Sequence, residues 1–89
     1  MNIRDNSAER RFEMDVDGQT VFAIYERRDS ELVIRHVEAP PALRGTGVAG
    51  QLMRAIPELA RAEHRVIVPL CGYARAWLRR HPEDRNLPS

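Results

Sequence analysis

With 89 residues, the chain is too short for two separately folding units, so we expect one domain over residues 1–89. Its content of 43% hydrophobic and 30% charged residues is typical of a globular protein and excludes a fibrous repeat or a disordered tail. The formal net charge is +1, but residues 1–38 carry 6 arginines and 9 acids, whereas residues 39–89 carry 8 arginines and 4 acids. This distribution argues against a uniformly basic protein that coats nucleic acid. It fits a discrete anionic ligand on the second half, or two solvated faces with a chance imbalance.

The cysteine content and the hydropathy of the sequence restrict which cellular compartments and which cofactors we expect. Cys71 is the only cysteine, which excludes an intrachain disulfide and a cysteine-based zinc or iron–sulfur site. Three scattered histidines do not make a metal site, so we expect no metal. The longest apolar run, residues 66–71, is about a third of the length that a bilayer crossing requires. No basic-then-apolar leader opens the chain, so we expect a cytoplasmic protein without a membrane partner.

The first half of the sequence predicts three antiparallel strands. Apolar and acidic residues alternate over residues 12–17, as in a strand with one buried face, and Asp17-Gly18 supplies a turn. Residues 20–27 and 31–38 predict the second and third strands. The sheet should end at Pro40-Pro41, because proline has no backbone N–H to donate to a neighbouring strand.

The second half predicts two helices and one more strand. From Val48 the apolar residues recur at helical spacing to about His64, and Pro57 should kink or divide this helix. Residues 65–70 are β-branched and apolar on both faces, which predicts a central strand. A short second helix then presents one apolar face, formed by Ala74, Trp77 and Leu78. The last seven residues should form an extended or frayed tail.

The predicted element order is βββαβα, without an internal repeat. Each helix has one apolar stripe and the sheet has one apolar face. The compact arrangement is therefore an α/β (α+β) fold, in which a mixed, mostly antiparallel sheet packs against two helices.

The segment from Arg44 to Gly50, which joins the third strand to the first helix, matches two phosphate-binding patterns. Its three glycines fit GxGxxG, the motif of a Rossmann dinucleotide site. That motif should follow a core strand at once within a doubly wound sheet, but residues 40–43 intervene and the chain is too short for such a sheet. A P-loop NTPase requires a lysine after the glycine, and the chain contains none.

The second pattern is Arg/Gln-x-x-Gly-x-Gly/Ala, which Arg44, Gly47 and Ala49 satisfy. Small residues let a pyrophosphate approach the backbone. The N–H groups of the first helical turn have no intrahelical partner, and the positive end of the helix dipole lies behind them. Arg44 adds a fixed positive charge. The segment therefore predicts a pyrophosphate site, with a glycine-rich helix start that binds nothing as the alternative.

Three segments carry a family resemblance. They are residues 36–40 (HVEAP), residues 43–49 (LRGTGVA) and residues 69–73 (PLCGY), with Trp77 and residues 80–82 (RHP) downstream. Taken together, they resemble the small, stand-alone GCN5-related N-acetyltransferases, the family that includes N-acetyltransferase domain-containing protein 1 and short bacterial and plant homologues. The likeness spans residues 36–82, and the first strands match only in their pattern.

The resemblance implies a minimal fold of this family that binds acetyl-coenzyme A and transfers its acetyl group to an unidentified amine. Pantetheine would run beside the strand of His36 to Glu38, and therefore beside Val37. The pyrophosphate would bind the loop residues Arg44, Gly45, Thr46, Gly47, Val48 and Ala49.

The chemistry of amine acetylation requires a base, because an amine with a lysine-like pKa is almost entirely protonated at neutral pH. The candidates are Glu38, His36 and Cys71, the last at a helix start where the dipole and Arg75 would favour the thiolate. Tyr73 could protonate the departing thiolate of coenzyme A. Structural roles remain open for three of them: Cys71 as a small buried hydrophobe, Tyr73 in an aromatic core with Trp77, and His36 as a core histidine.

We expect direct transfer rather than a covalent intermediate on Cys71. Two other functions remain open: a coenzyme A-binding module without catalysis, and an arginine-rich interaction domain for an acidic partner. The acidic first half argues against the second of these, and we expect no nucleic-acid partner. We expect a monomer or a weak homodimer.

Overall fold

A computed structural model describes residues 3–84 of the chain. The strands are β1 (Ile3–Asn6), β2 (Arg11–Val16), β3 (Gln19–Arg28), β4 (Glu31–Glu38) and β5 (Val66–Pro69). The helices are α1 (Val48–Ala62) and α2 (Gly72–Arg80), and short 3-10 helices span Pro41–Leu43 and Pro82–Asp84. The predicted fold class is confirmed, with one strand more than predicted. The 3-10 helix at Pro82–Asp84 takes the first part of the predicted tail, and residues 85–89 lie outside the described residues.

The five strands form one mixed sheet in the order β1-β2-β3-β4-β5. Every neighbouring pair is antiparallel except β4 and β5, which are parallel and are connected through α1. The Asp17-Gly18 turn between β2 and β3 has positive φ at both residues, 51° and 76°, as a tight two-residue hairpin turn requires. The strand that the sequence did not predict, β1, contains a single apolar residue, Ile3, so it shows no alternation.

One face of the sheet packs against both helices. The buried strand residues on this face pair with one another across β2, β3 and β4 and form one hydrophobic cluster with α1 and α2. Their largest members are Phe12, Met14, Leu32 and Ile34 from the strands, and Leu52, Met53, Ile56 and Trp77 from the helices. We call the opposite face, which carries Glu13, Phe22, Val33, His36 and Glu38, the open face. Within residues 3–84 no helix packs on it.

Two predictions about the second half are corrected by the structure. Pro57 does not divide α1, which runs as one helix from Val48 to Ala62. Pro57 removes the hydrogen bond to the carbonyl of Met53, but its ring is fully buried, and the packing of the surrounding helix face holds the helix together. The second error concerns β5, which is an edge strand and not a central one. Val66 and Val68 lie on the open face and are half-buried, which accounts for the apolar residues on both sides of the strand.

Candidate functional site

A β-bulge in β4 sets the geometry of the site. Tyr25 pairs with Ile34 and Ile24 pairs with His36, so Arg35 is an extra residue in β4. A bulge bends its strand and reverses the alternation of side chains beyond it. It places Val37 on the helix-packed face and turns His36 and Glu38 to the open face. The interpretation of His36 as a core histidine is therefore wrong: its side chain is 52% exposed.

The bulge also marks the place where β4 separates from β5. Pairing between the two strands ends at Ile34 and Pro69, and the N–H groups of Leu70 and Cys71 both donate to the carbonyl of Ile34. Beyond this point, residues 36–38 remain paired with β3 but have no strand on the other side within the described residues. Residues 36–38, for which the family resemblance implies a position beside pantetheine, therefore have a free backbone edge within the described residues.

The loop after β4 brings a set of unpaired backbone donors to the start of α1. Gly47 is the N-cap residue in the left-handed conformation, with φ 87°, and the first helical hydrogen bond runs from Gln51 N–H to its carbonyl, at 3.2 Å. The N–H groups of Arg44 and Thr46 bond to the carbonyls of Pro41 and Leu43. Within residues 3–84, a further group of N–H donors has no protein acceptor, namely those of Gly45, Gly47, Val48, Ala49 and Gly50.

These donors adjoin an open pocket of about 380 Å³ between the loop, the end of β4 and α2. Six of the seven residues predicted to bind the cofactor line it; they are Val37, Arg44, Gly45, Gly47, Val48 and Ala49. The seventh, Thr46, is exposed but does not line the pocket, and its hydroxyl donates to the carbonyl of Leu43 at 2.6 Å. Ala39, Leu43 and Tyr73 complete the lining. The pocket is within the size range of small-molecule sites.

In the part of the chain that the structure describes, arginine side chains that form no ion pair lie on the loop and on α2. The guanidinium of Arg44 donates through Nε to the carbonyl of Ala39, at 3.2 Å, and its two terminal nitrogens make no protein contact among the described residues. Arg79 and Arg80 on α2 are exposed, and no carboxylate pairs with them within residues 3–84. The site therefore combines backbone donors, a positive side chain and a partly apolar wall, which suits a ligand with a phosphate group and an organic chain.

Comparison with family models agrees with this chemistry. The model described as GCN5-related N-acetyl-transferase matches residues 11–87. The chain belongs to this family. Comparison with curated proteins gave no match. Membership of the GCN5-related N-acetyltransferases indicates acyl transfer and makes acetyl-coenzyme A the ligand class expected in the pocket. Within the described residues, no helix is both long and apolar enough to cross a membrane.

His36 and Glu38 form a hydrogen-bonded pair on the open face. His36 Nε2 lies 2.7 Å from a carboxylate oxygen of Glu38. This hydrogen bond, assisted by the nearby charge of Arg44, lowers the pKa of Glu38. An ionised carboxylate can only accept, so Nε2 donates in this contact, and Nδ1 is the ring nitrogen without a protein partner among the described residues. The pair has the geometry of a base and its orienting carboxylate.

Tyr73 and Cys71 both lie near the start of α2, but only Tyr73 lines the pocket. Tyr73 is 38% exposed, which separates it from the core. Burial of part of its ring raises the pKa of its hydroxyl, so the phenol is protonated at neutral pH. Cys71 is the N-cap residue of α2, and its half-buried side chain packs against the hydrophobic cluster. The guanidinium of Arg75 donates to the carbonyl of Leu70, at 3.2 Å.

Two features of the site had no signal in the sequence. The bulge at Arg35 has no local composition that marks it. The corner formed by Gly50, Tyr73 and Trp77 is the other: a Cβ atom added to Gly50 would lie 3.6 Å from both Trp77 Nε1 and the Tyr73 hydroxyl. The four-residue spacing of Tyr73 and Trp77 places them on one helix face, but the sequence does not show that this face meets the first turn of α1.

Proposed function

We propose that this chain is an acetyl-coenzyme A-dependent N-acetyltransferase that acts on an amine acceptor, and that residues 1–89 form a single domain with this activity. One observation carries the proposal: Gly47, Val48 and Ala49, whose N–H groups have no acceptor within residues 3–84, line a pocket beside the free edge of β4. A buried or half-buried N–H without an acceptor is costly, and a ligand oxygen supplies the missing partner.

The residues of the pocket fit coenzyme A. The pyrophosphate binds the N–H groups of Gly45, Gly47, Val48 and Ala49 at the positive end of α1, with Arg44 as counter-charge. Pantetheine runs along the free edge of β4 at Val37, where backbone groups replace those of a neighbouring strand. Thr46 shapes the loop through its bonds to Leu43.

Bound acetyl-coenzyme A supplies the acetyl group as a thioester, which passes to the acceptor nitrogen with release of the free thiol. His36 takes the proton of the amine on Nδ1, and Glu38 holds the imidazole and stabilises its positive charge through Nε2. Val37 and this pair lie on opposite faces of β4. The coenzyme and the acceptor amine therefore meet at the free edge of residues 36–38, with the acceptor approaching from the open face.

Tyr73 donates its proton to the departing thiolate, because it lines the pocket and is protonated at neutral pH. Cys71 has a packing role in this scheme, and transfer to the amine is direct. The chain resembles the small stand-alone members of the family, and it acts as a monomer or weak homodimer.

The proposal is tested by calorimetric titration with acetyl-coenzyme A, followed by measurement of free thiol in the presence of amines. The amines are a lysine peptide, a polyamine and an aminoglycoside. We expect saturable binding and amine-dependent thiol release. If acetyl-coenzyme A binds but none of the amines causes release of free thiol, the chain is a coenzyme A-binding module without catalysis. Salt-sensitive binding to an acidic polymer without affinity for coenzyme A would contradict the proposal altogether.

A further inference from the structure

The only tryptophan of the chain, Trp77, has a buried N–H group without an acceptor. The residue is 3% exposed, and within residues 3–84 its indole Nε1 makes no hydrogen bond. Leaving such a donor unpaired in the interior is destabilising. Native proteins rarely leave this cost uncompensated, so an acceptor for this group is expected in the functional state.

The orientation of the Trp77 ring is fixed by its neighbours. The ring stacks on the imidazole of His81, with the ring centroids 3.8 Å apart and the planes 11° from parallel. His81 in turn donates through Nδ1 to the carbonyl of Trp77, at 2.8 Å. Because both rings are held on α2, the indole cannot turn to reach another acceptor without breaking these contacts.

The indole nitrogen of Trp77 lies beside the first turn of α1. Trp77 Nε1 and the Tyr73 hydroxyl both lie 3.6 Å from the position of a Cβ atom on Gly50, and the backbone N–H of Gly50 also has no acceptor. Tyr73 lines the pocket, so this corner adjoins it. The unpaired backbone N–H of Gly50 therefore belongs to a residue that adjoins both the indole nitrogen and the phenol hydroxyl. A group that satisfies this set must be an oxygen acceptor.

We propose that Trp77 is a binding residue for acetyl-coenzyme A, and that its indole N–H donates a hydrogen bond to an oxygen of the coenzyme at the first turn of α1. This inference rests on the proposed function. The oxygen belongs either to the pyrophosphate or to a pantetheine amide, and both offer the same acceptor chemistry. Trp77 thus has a second role beside its packing in the core.

The test uses the fact that Trp77 is the only tryptophan, so a sample labelled with ¹⁵N in its indole gives a single indole N–H resonance. We expect acetyl-coenzyme A to move this proton downfield and to slow its exchange with water. Titrations with inorganic pyrophosphate and with pantetheine then show which part of the coenzyme supplies the oxygen, since only one of the two should reproduce the shift.

The matched variant replaces tryptophan by β-(3-benzothienyl)alanine, in which sulfur takes the place of the N–H with little change of shape. We expect the affinity for acetyl-coenzyme A to fall about tenfold, the loss of one hydrogen bond, while the unfolding midpoint of the free protein is unchanged or higher. Wild-type affinity in this variant, with an unmoved indole resonance in the parent, would overturn the role of Trp77 and leave the proposed function intact. Absence of acetyl-coenzyme A binding by the parent protein would overturn both.

Discussion

Polar groups on the open face of the sheet are hydrogen-bonded within the protein, whereas backbone donors at the loop end of α1 are unpaired within the described residues. On the open face, the carboxylate of Glu13 is buried and accepts hydrogen bonds from Arg4 at 2.8 Å, from Asn6 at 2.9 Å and from Arg11. Arg4 also pairs with Asp15. At the start of α1, consecutive backbone donors have no protein acceptor within the described residues. Polar groups that the chain satisfies itself contribute to stability, whereas unpaired donors at a pocket are available to a ligand, as the proposed function requires.

The largest expected effect is a loss of affinity for acetyl-coenzyme A when Gly47 is replaced, but not when Gly18 is replaced, although both glycines have positive φ. Gly47 and Gly18 have φ of 87° and 76°, and a Cβ atom at either would meet nothing within 4 Å. Gly47→Val places a branched side chain among the unpaired donors, and we expect the affinity for acetyl-coenzyme A to fall several hundredfold through the loss of about two charge-assisted hydrogen bonds. Calorimetric titration of both variants measures the effect.

Gly18→Val is the control, because it carries the strain of a valine at positive φ in a turn outside the pocket. It should lose similar stability to Gly47→Val and keep the affinity of the parent protein. Equal affinities in the two variants would show that the loop does not contact the coenzyme.

The next effect concerns catalysis on the open face. His36→Gln removes the proton acceptor but not the pocket, so we expect the transfer rate to fall about a hundredfold while the affinity for acetyl-coenzyme A stays the same. Glu38→Gln keeps the imidazole and should cost less. Glu31→Gln, at the other end of β4, is the control and should not change the rate. Full turnover by His36→Gln would remove the pair from the mechanism.

A smaller effect concerns stability and pH on the open face. The hydrogen bonds from Arg11 and then Asn6 lower the pKa of Glu13. A carboxylate whose pKa is lower in the folded state contributes stability above its ordinary pKa, about 4.3, and this is lost as the pH falls through the folded value. Glu13→Gln should therefore cost about 2 kcal/mol at pH 7, the strength of a charge-assisted hydrogen bond.

Urea unfolding from pH 7 to pH 3 measures this effect. The parent protein should lose more stability on acidification than Glu13→Gln, and the affinity of the variant for acetyl-coenzyme A at pH 7 should not change. A variant as stable as the parent at pH 7 would show that the buried carboxylate does not stabilise the sheet.

The smallest effect is expected at Cys71. In the proposed direct transfer the Cys71 thiol only packs against the core, so Cys71→Ala should change the transfer rate by less than about threefold, as for a small buried hydrophobe. Mass spectrometry of the parent protein mixed with acetyl-coenzyme A should detect no acetylated cysteine. A large loss of rate, or an acetyl group on Cys71, would restore the covalent route.

Much of the fold could be predicted from local patterns. The alternation in residues 12–17, the Asp17-Gly18 turn and the helical spacing from Val48 each reflect the period or the dihedral preference of one element. The strand β1 could not be predicted in this way, since its place in the sheet depends on pairing with β2. Burial of Glu13 follows from the same pairing, because Arg4 and Asn6 reach it from β1.

The residue types before α1 predict the backbone conformation of the loop, and the pyrophosphate site there stays a prediction. The glycines and Arg44 indicated a pyrophosphate loop, and the structure shows unpaired donors there. The placement of His36 was not predictable, because the bulge at Arg35 reverses the alternation of β4 and depends on register with β3. The meeting of Trp77 with Gly50 depends on how α2 packs against α1, which no spacing within either helix specifies.

The most direct test of the account is the response of the backbone amide resonances of Gly47, Val48, Ala49 and Gly50 to acetyl-coenzyme A. The account predicts that these four N–H protons move downfield in saturable fashion, while those of the Asp17-Gly18 turn do not move. Saturable binding that leaves the four resonances in place, or no binding at all, would contradict it.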